Sequence, residues 1–275
     1  MSQSTDTSLR EQLDTAIKEN HLQTVKDLYH SASQDKQGDI LRDIAEGAAQ
    51  HANVQLLDWV LNEGFEIPAD SLNNEFYHQV CYAHSIPVWQ TLVKHGFSLN
   101  NHHSEFIGDA LSFEAYNGNV DILRFLLENG QDPNDTWGCN DWEPGVCALL
   151  GKKPSLEILR LLLQHGWTQK ESGTHIAAAE LGNMEALQLL VENGADLEST
   201  EAWWANPAVI EGSDVWGTAL YRAALKGQKE SVSYLLQKGA SVRFKDKQGR
   251  SVLWAARQGG NQAVVKLVKA AGVEE

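Results

Sequence analysis

Acidic side chains and tryptophans alternate in one stretch of the sequence, and these residue types could transfer protons. Asp141 and Glu143 flank Trp142, and Trp137 lies four residues before Asp141. A carboxylate beside indole rings loses solvation of its charged form, so its pKa rises and it can act as a general acid near neutral pH. The DPND segment that ends at Asp135 is typical of a turn instead.

A second stretch, residues 201–216, has the same kind of composition. It combines three tryptophans with three carboxylates: Trp203, Trp204, Trp216, Glu201, Glu211 and Asp214. The sequence does not rank these acids among themselves, so Asp214 stands beside Asp141 and Glu143 as a candidate acid or base.

Two adjacent histidines, His102 and His103, precede Glu105. Successive side chains of an extended chain point to opposite faces, so one of the two could reach a site as acid, base or metal ligand. The interpretation that we favour is a pair of solvated loop residues. No HExxH or CxxC…H spacing is present, and we predict no metal site. The candidate catalytic residues are therefore His102, His103, Asp141, Glu143 and Asp214.

The overall charge argues against polyanionic partners. The 275 residues carry a formal net charge of −15, from 37 acidic and 22 basic side chains. An acidic surface repels phosphate backbones and anionic lipid, so we predict neither nucleic acid nor a membrane as partner.

The start of the sequence and the cysteines favour the cytoplasm or the nucleus. Residues 1–10 are polar and lack the apolar region of a secretory signal, and no apolar run has the length of a membrane helix. Cys81, Cys139 and Cys147 form no CxxC pair and no even-numbered set, which indicates reduced thiols. We expect Cys81 and Cys147 to be buried and Cys139 to be accessible.

A Gly-terminated apolar helix recurs along the chain. Its copies end at glycines 28 to 45 residues apart, as in VQLLDWVLNEG, IPVWQTLVKHG, VDILRFLLENG, LEILRLLLQHG and MEALQLLVENG. In four copies a second glycine lies twelve residues before the first, which suits a tight left-handed turn between two helices. Each repeat is therefore predicted to be a helix, a turn, a helix and an extended connector.

These repeats resemble those of the ankyrin family. LLENGQDPN, LVENGADLE and LLQKGASVR are similar to its LLxxGADxN stretch, and TALYRAALKG is similar to its TPLHxAAxxG opening. The resemblance implies an all-α solenoid of stacked antiparallel helix pairs with finger-like connectors, forming a single domain over residues 1–275. The approximate repeats are 8–42, 43–74, 75–108, 109–144, 145–172, 173–217, 218–250 and 251–275.

The sequence departs from the family pattern at the His of TPLH, which in the family hydrogen-bonds to neighbouring backbone. The corresponding positions hold Asp14, Glu46, His78, Ser112, Ala148, Ile176, Tyr221 and Trp254. A single copy keeps the His, so a different set of contacts must connect these repeats.

Two connectors are longer than the family pattern, those after Gly130 and Gly194. They hold five of the nine tryptophans: Trp137, Trp142, Trp203, Trp204 and Trp216. Long connectors in compact scaffolds are usually functional or disordered, and disordered segments are poor in aromatic residues. We therefore expect ordered fingers.

The resemblance also implies which helix positions face the concave groove. They hold Gln79, Tyr82, Phe113, Tyr116, Leu149, Arg222 and Leu225. Together with the five tryptophans of the long connectors, Gln79, Tyr82, Phe113, Tyr116 and Arg222 are the predicted ligand-binding residues. Aromatic and Arg side chains of this kind are typical of interface hot spots and of small-molecule pockets.

Two functions remain open at this point. The first is a monomeric binding module that recognises a protein partner or an apolar ligand in the groove, which the family resemblance favours. The alternative is a cofactor-independent cyclase, isomerase or lyase that acts on a small apolar molecule in an aromatic pocket. No phosphate loop or dinucleotide fingerprint is present, and no cofactor is predicted.

Overall fold

The computed structural model describes residues 2–67, 74–100, 102–104, 107–135, 137–139, 142–169, 172–200 and 217–272. These residues form sixteen helices and no β-strand, which confirms the all-α prediction. The helices are α1 (Ser2–Lys18), α2 (Leu22–Ser31), α3 (Gln34–Gln50), α4 (Val54–Asn62), α5 (Glu75–Tyr82), α6 (Ile86–Lys94), α7 (Ala110–Asn117), α8 (Val120–Glu128), α9 (Pro144–Leu150), α10 (Leu156–Gln164), α11 (Thr174–Leu181), α12 (Met184–Glu192), α13 (Ala219–Leu225), α14 (Lys229–Gln237), α15 (Val252–Gln258) and α16 (Gln262–Ala270).

The glycines that defined the repeat have the backbone conformation expected of them. The glycines that follow the second helices, such as Gly130 and Gly194, have φ between 81° and 97°. Those in the turn within a pair, such as Gly182, have φ between 69° and 72°. Both values lie in the left-handed region that favours glycine, so the prediction of eight helix pairs is confirmed.

The first two repeats begin earlier than predicted. α1 begins at Ser2 and α3 at Gln34, and each has 17 residues. Only Ala32 and Ser33 separate α2 from α3, so this connector has no room for a finger. The approximate boundaries predicted at residues 8 and 43 lie within α1 and α3.

Two compact units make up the chain. One contains residues 1–114 and 121–140, and the other contains residues 115–120 and 141–275. The single domain predicted over residues 1–275 stays a prediction. Small residues let the first helices of successive repeats pack closely in the second unit, where Ala177–Ala179 of α11 and Ala223–Ala224 of α13 are buried.

Two fingers meet backbone to backbone in the first unit. We call them the His102 finger (residues 97–109) and the Trp137 finger (residues 131–139). Within the His102 finger the N–H groups of Ser104 and Gly108 each donate to the carbonyl of the other, over 2.9 and 2.8 Å. Gly108 has φ +70°, and a Cβ built on it would lie 1.2 Å from the carbonyl oxygen of Gly138. Only glycine therefore permits this approach of the two fingers.

This contact predicts a difference between two glycine substitutions. Gly96 also has a positive φ, +81°, but a Cβ there would meet nothing within 4 Å. Gly96→Ala should therefore cost only the left-handed strain, about 1–2 kcal/mol of the free energy of unfolding. Gly108→Ala should cost about 1–3 kcal/mol more because it also forces the fingers apart. Urea denaturation of both variants measures this difference, and equal losses would contradict the contact.

Candidate functional site

Asp109 joins the start of α7 to the Trp137 finger. Its side chain is 2% exposed, and its Oδ1 accepts a hydrogen bond from the N–H of Ser112 over 2.8 Å. Its Oδ2 accepts from the Ser112 hydroxyl and from the N–H groups of Trp137 and Gly138, each over 2.9 Å. Burial raises the pKa of Asp109, and these hydrogen bonds oppose that rise. The carboxylate thus fixes the backbone of the finger at the point where Trp137 leaves it.

Trp137 presents most of its indole ring to solvent. It is 62% exposed, and the ring of His103 stacks on it at 3.7 Å between centroids with an interplanar angle of 6°. The ring is therefore supported from the His102 finger while its backbone is held by Asp109. This places the predicted residues His103 and Trp137 together.

A stripe of residues on α5 ends in a second exposed aromatic side chain. Glu75, Gln79 and Tyr82 are spaced i, i+4 and i+7, so they share one face of the helix. The Gln79 amide donates to the Glu75 carboxylate. Tyr82 is 58% exposed and meets Phe113 edge to face at 5.3 Å between centroids. The structure thus brings three predicted groove residues, Gln79, Tyr82 and Phe113, into one region.

The buried ring of Phe113 has a second support, the imidazole of His84. The two rings stack at 5.5 Å with an interplanar angle of 7°. Nδ1 of His84 lies 2.9 Å from a carboxylate oxygen of Glu114, whose side chain is fully buried. This hydrogen bond fixes His84, and His84 in turn fixes Phe113 beneath Tyr82.

A cavity of about 310 Å³ beside this stripe is acidic. Gln79 lines it with Arg10 and four carboxylates: Asp14, Asp43, Glu46 and Glu75. Burial raises the pKa of Asp43 and of Glu46, and repulsion from neighbouring carboxylates adds to the rise. The lining therefore carries more negative charge than Arg10 balances.

His102 is not the solvated loop residue that we favoured. Its ring is half-buried, stacks on Phe97 at 4.4 Å, and lies 6.1 Å from the ring of Tyr77. The Tyr77 hydroxyl donates to its carbonyl over 3.1 Å, and Nδ1 is buried without a hydrogen-bond partner. Burial, followed by the neighbouring His103, lowers the pKa of His102. The correction follows from two aromatic side chains, Tyr77 of α5 and Phe97 of the same finger, which pack against the His102 ring.

Glu143, in the second unit, is saturated with hydrogen bonds. Its Oε1 accepts from the N–H of Val146 (3.3 Å) and from the hydroxyl of Thr174 (2.8 Å), and its Oε2 accepts from the indole N–H of Trp167 (3.0 Å). Burial raises its pKa to about 7, against the effect of these donors. The side chain caps α9 and joins it to α11, so its first role in this structure is to connect two repeats.

Trp142 and Tyr116 lie in the second unit at 6.2 Å between centroids. Trp142 is 9% exposed, so it presents little of its ring to a ligand. Tyr116 is partly exposed, its carbonyl accepts from the N–H of Lys152 over 2.7 Å, and the Lys152 ammonium lies 5.6 Å from its ring centroid. Their assignment as ligand-binding residues stays a prediction.

Arg222 forms a buried ion pair with Glu180. Nε and Nη2 of Arg222 donate to the two carboxylate oxygens over 2.8 to 2.9 Å, and Lys226 lies 3.6 Å from the same carboxylate. The pair joins α11 to α13, and the guanidinium is enclosed rather than presented to a ligand.

Several sequence predictions concern burial. Cys81 and Cys147 are buried as predicted. The accessibility expected of Cys139 was wrong, because the close approach of Gly138 to the His102 finger buries the thiol. Five predicted residues lie outside the described part of the chain: Asp141, Trp203, Trp204, Asp214 and Trp216.

Three anchoring carboxylates, Asp109, Glu114 and Glu180, were missed. Asp109 could have been found, because a polar residue directly before an apolar helix is a typical N-cap. The partners of Glu114 and Glu180 are 30 and 42 residues away, and no local pattern indicates them.

No group of three or more His, Cys, Asp or Glu side chains suited to a metal ion occurs among the described residues. Within the same residues, no helix combines the length and the apolar character needed to cross a bilayer.

Comparison with known proteins agrees with the repeat pattern. A family model for ankyrin repeats (three copies) matches residues 111–201 and 205–274. The human transient receptor potential cation channel subfamily A member 1 is 23% identical over 261 residues, covering 81% of this chain and 22% of that protein. The ankyrin repeat and KH domain-containing protein mask-1 of Caenorhabditis elegans is 30% identical over 164 residues, covering 58% of this chain and 6% of that protein. The chain thus spans less than a quarter of the length of these relatives.

Solved structures show the same fold. An ankyrin repeat domain from Acinetobacter baumannii AYE has a TM-score of 0.55 at 23% identity, covering 84% of this chain and 98% of that one. A second ankyrin repeat protein also has a TM-score of 0.55, at 21% identity, covering 70% of this chain and 96% of that one.

Glu143 predicts a pH dependence of stability. Its pKa rises from an ordinary 4.5 in the unfolded chain to about 7 in the folded one. Between these values the folded state binds more protons, so this group lowers the free energy of unfolding as the pH rises, by about 3 kcal/mol in total. Urea denaturation across this range should show that Glu143→Gln loses this part of the slope. If the free energy of unfolding changes with pH by the same amount in the variant and in the unaltered chain, the prediction is contradicted.

Arg222 predicts a loss of stability that a second substitution reverses. Arg222→Met leaves the Glu180 carboxylate buried, with Lys226 as its remaining ion-pair partner among the described residues. Because breaking a buried ion pair leaves a charge poorly compensated, the substitution should lower the free energy of unfolding by about 3–5 kcal/mol. The double variant Arg222→Met/Glu180→Met should recover most of this loss, because no buried charge remains. Chemical denaturation measures both, and a double variant less stable than Arg222→Met would be inconsistent with this account.

Proposed function

Because the chain belongs to the ankyrin-repeat family, whose repeats generally mediate protein–protein interactions, we propose that it binds a protein partner through an aromatic face of its first unit. We define the aromatic face by Glu75, Gln79 and Tyr82 of α5, Phe113 of α7 and the stacked pair of His103 and Trp137. The observation that carries the proposal is the exposure of two large aromatic side chains, 58% for Tyr82 and 62% for Trp137.

The exposed rings of the aromatic face are held in place. Trp137 is fixed by Asp109 and by His103, and Tyr82 packs on Phe113. Both supports meet at the first turn of α7, where the N–H of Phe113 donates to the carbonyl of Asp109 over 3.0 Å. Little conformational entropy is therefore lost when a partner covers these rings, which is a property of interface hot spots.

The carboxylates near the aromatic face favour a partner with positive charge. Glu75 belongs both to the stripe that ends at Tyr82 and to the lining of the acidic cavity, which also holds Asp43 and Glu46. Burial raises the pKa of Asp43 and Glu46, and repulsion between carboxylates adds to the rise; a Lys or Arg side chain placed there would relieve that repulsion. This supports a partner segment that combines apolar and basic residues.

The openness of the aromatic face favours a protein over a small apolar molecule. An enclosed pocket buries most of the surface of its ligand, which requires side chains that surround a cavity. Trp137 and Tyr82 instead expose more than half of their surface. The enzyme alternative would need an enclosed site, and Glu143, the best candidate acid, already accepts three hydrogen bonds.

Alanine substitutions at the two exposed rings test this proposal. The unaltered chain and the variants Tyr82→Ala and Trp137→Ala are immobilised, and the proteins retained from a cell extract are quantified by mass spectrometry. The two variants should lose the same partner, with affinity reduced about 30-fold or more for each, because a hot-spot aromatic contributes about 2 kcal/mol or more.

Leu181→Ala is the matched control. Leu181 is another large exposed side chain, 52% exposed, and it lies in the second unit. Its removal should leave the partner bound. Loss of the same protein from all three variants would contradict the proposal, as would a partner that all three retain. A small-molecule fraction that stabilises the unaltered chain against unfolding, but not the variant Trp137→Ala, would favour the small-molecule alternative instead.

A further inference from the structure

Charge is strongly segregated along the chain. Residues 217–272 contain eleven Lys and Arg side chains and two carboxylates, Glu230 and Asp246, which gives a net charge of +9. The whole chain carries −15, so the remaining residues carry −24. The last two helix pairs therefore form a basic region in an otherwise acidic protein.

The connector between these two pairs concentrates exposed positive charge. We call residues 240–251 the basic finger. Its Arg243, Lys245 and Lys247 are exposed and occupy every second position. The residues between them turn inward: Phe244 meets Tyr221 edge to face at 5.3 Å between centroids, and Asp246 is buried. This alternation places the three cationic side chains on the outer side of the finger.

Asp246 keeps the basic finger in this conformation. Its Oδ2 accepts from the Tyr221 hydroxyl over 2.7 Å and from Nε of Arg250. Its Oδ1 accepts from the N–H groups of Gln248 and Arg250 over 3.0 and 2.8 Å. The antiparallel bridge between Lys245 and Ser251 closes the turn. The finger is thus ordered before any partner arrives.

Two cations of the basic finger, Arg243 and Lys245, are not neutralised by a carboxylate within the part of the chain that the structure describes. The single carboxylate of the basic finger, Asp246, is buried and forms an ion pair with Arg250. At its base, Glu198 accepts from the N–H of Ser241 over 2.8 Å. No described carboxylate forms an ion pair with Arg243 or Lys245.

We propose that the basic finger is a second docking surface, which binds an acidic segment of a partner protein. Charge complementarity identifies the occupant: Asp and Glu side chains or a chain terminus would meet Arg243, Lys245 and Lys247. A short peptide fits better than a nucleic acid or a lipid surface. Those polyanions extend far beyond one finger, and the −24 charge of the remaining residues repels them. The basic finger belongs to the second unit and the aromatic face to the first, and the two proposed occupants have opposite charges.

Fluorescence anisotropy of a labelled octaglutamate peptide tests the proposal on the full chain. The variant Arg243→Gln/Lys245→Gln should bind the peptide about tenfold more weakly than the unaltered chain, and added salt should weaken the unaltered chain's binding. The matched control is Lys229→Gln/Lys266→Gln, which removes two exposed positive charges from α14 and α16 of the same repeats. The control should bind like the unaltered chain.

Three outcomes would overturn the proposal. One is no binding of the peptide by the unaltered chain. Another is an equal loss in both double variants, which would assign binding to net charge rather than to the basic finger. The third is tighter binding of duplex DNA or of phosphatidylserine vesicles than of octaglutamate, since the occupant would then be a different class of polyanion. Circular dichroism of each variant verifies that it is folded.

Discussion

Asp109 is a buried carboxylate whose four hydrogen bonds join the first turn of α7 to the backbone of Trp137 and Gly138. Without it, these two N–H groups would lose their acceptor, at a cost of about 1–3 kcal/mol for each one that remains buried. The close approach of Gly108 and Gly138 leaves the finger no room to shift toward α7. The position of Trp137, and with it the aromatic face, depends on this carboxylate.

Side chains of several types connect the repeats where the family uses one His. His78 is the copy that keeps it, and its ring pairs with the Ser104 hydroxyl of the His102 finger. Ser112 replaces it in the next repeat and donates to Asp109, while Tyr221 replaces it in the seventh and donates to Asp246. These fingers can thus be held by different side chains, because His, Ser and Tyr at this position each hydrogen-bond to a carboxylate or hydroxyl.

The helix pairs could be predicted from the sequence because their determinants are local. The period of apolar residues and the two glycines of each repeat specify helices and left-handed turns without reference to distant residues. Part of the aromatic face could be predicted: Tyr82 and Phe113 followed from the register, and Trp137 followed from the length of its connector. The side chains that support them did not follow from either. Phe113 depends on His84 and Glu114, which meet across 30 residues, and Cys139 is buried by a finger that begins more than 30 residues before it. The basic finger was missed because the net charge of −15 averages over opposite regions.

Amide hydrogen exchange measured by NMR at Trp137 and Gly138 tests the central claim most directly, that Asp109 holds the exposed tryptophan in place. Both amides should exchange slowly in the unaltered chain and quickly in Asp109→Ala. The amide of Gln131 in the same finger donates to the carbonyl of Leu126 over 3.0 Å and should stay protected in both. If the amides of Trp137 and Gly138 exchange in the unaltered chain as fast as amides of an unstructured peptide, the finger is not anchored and the account is contradicted.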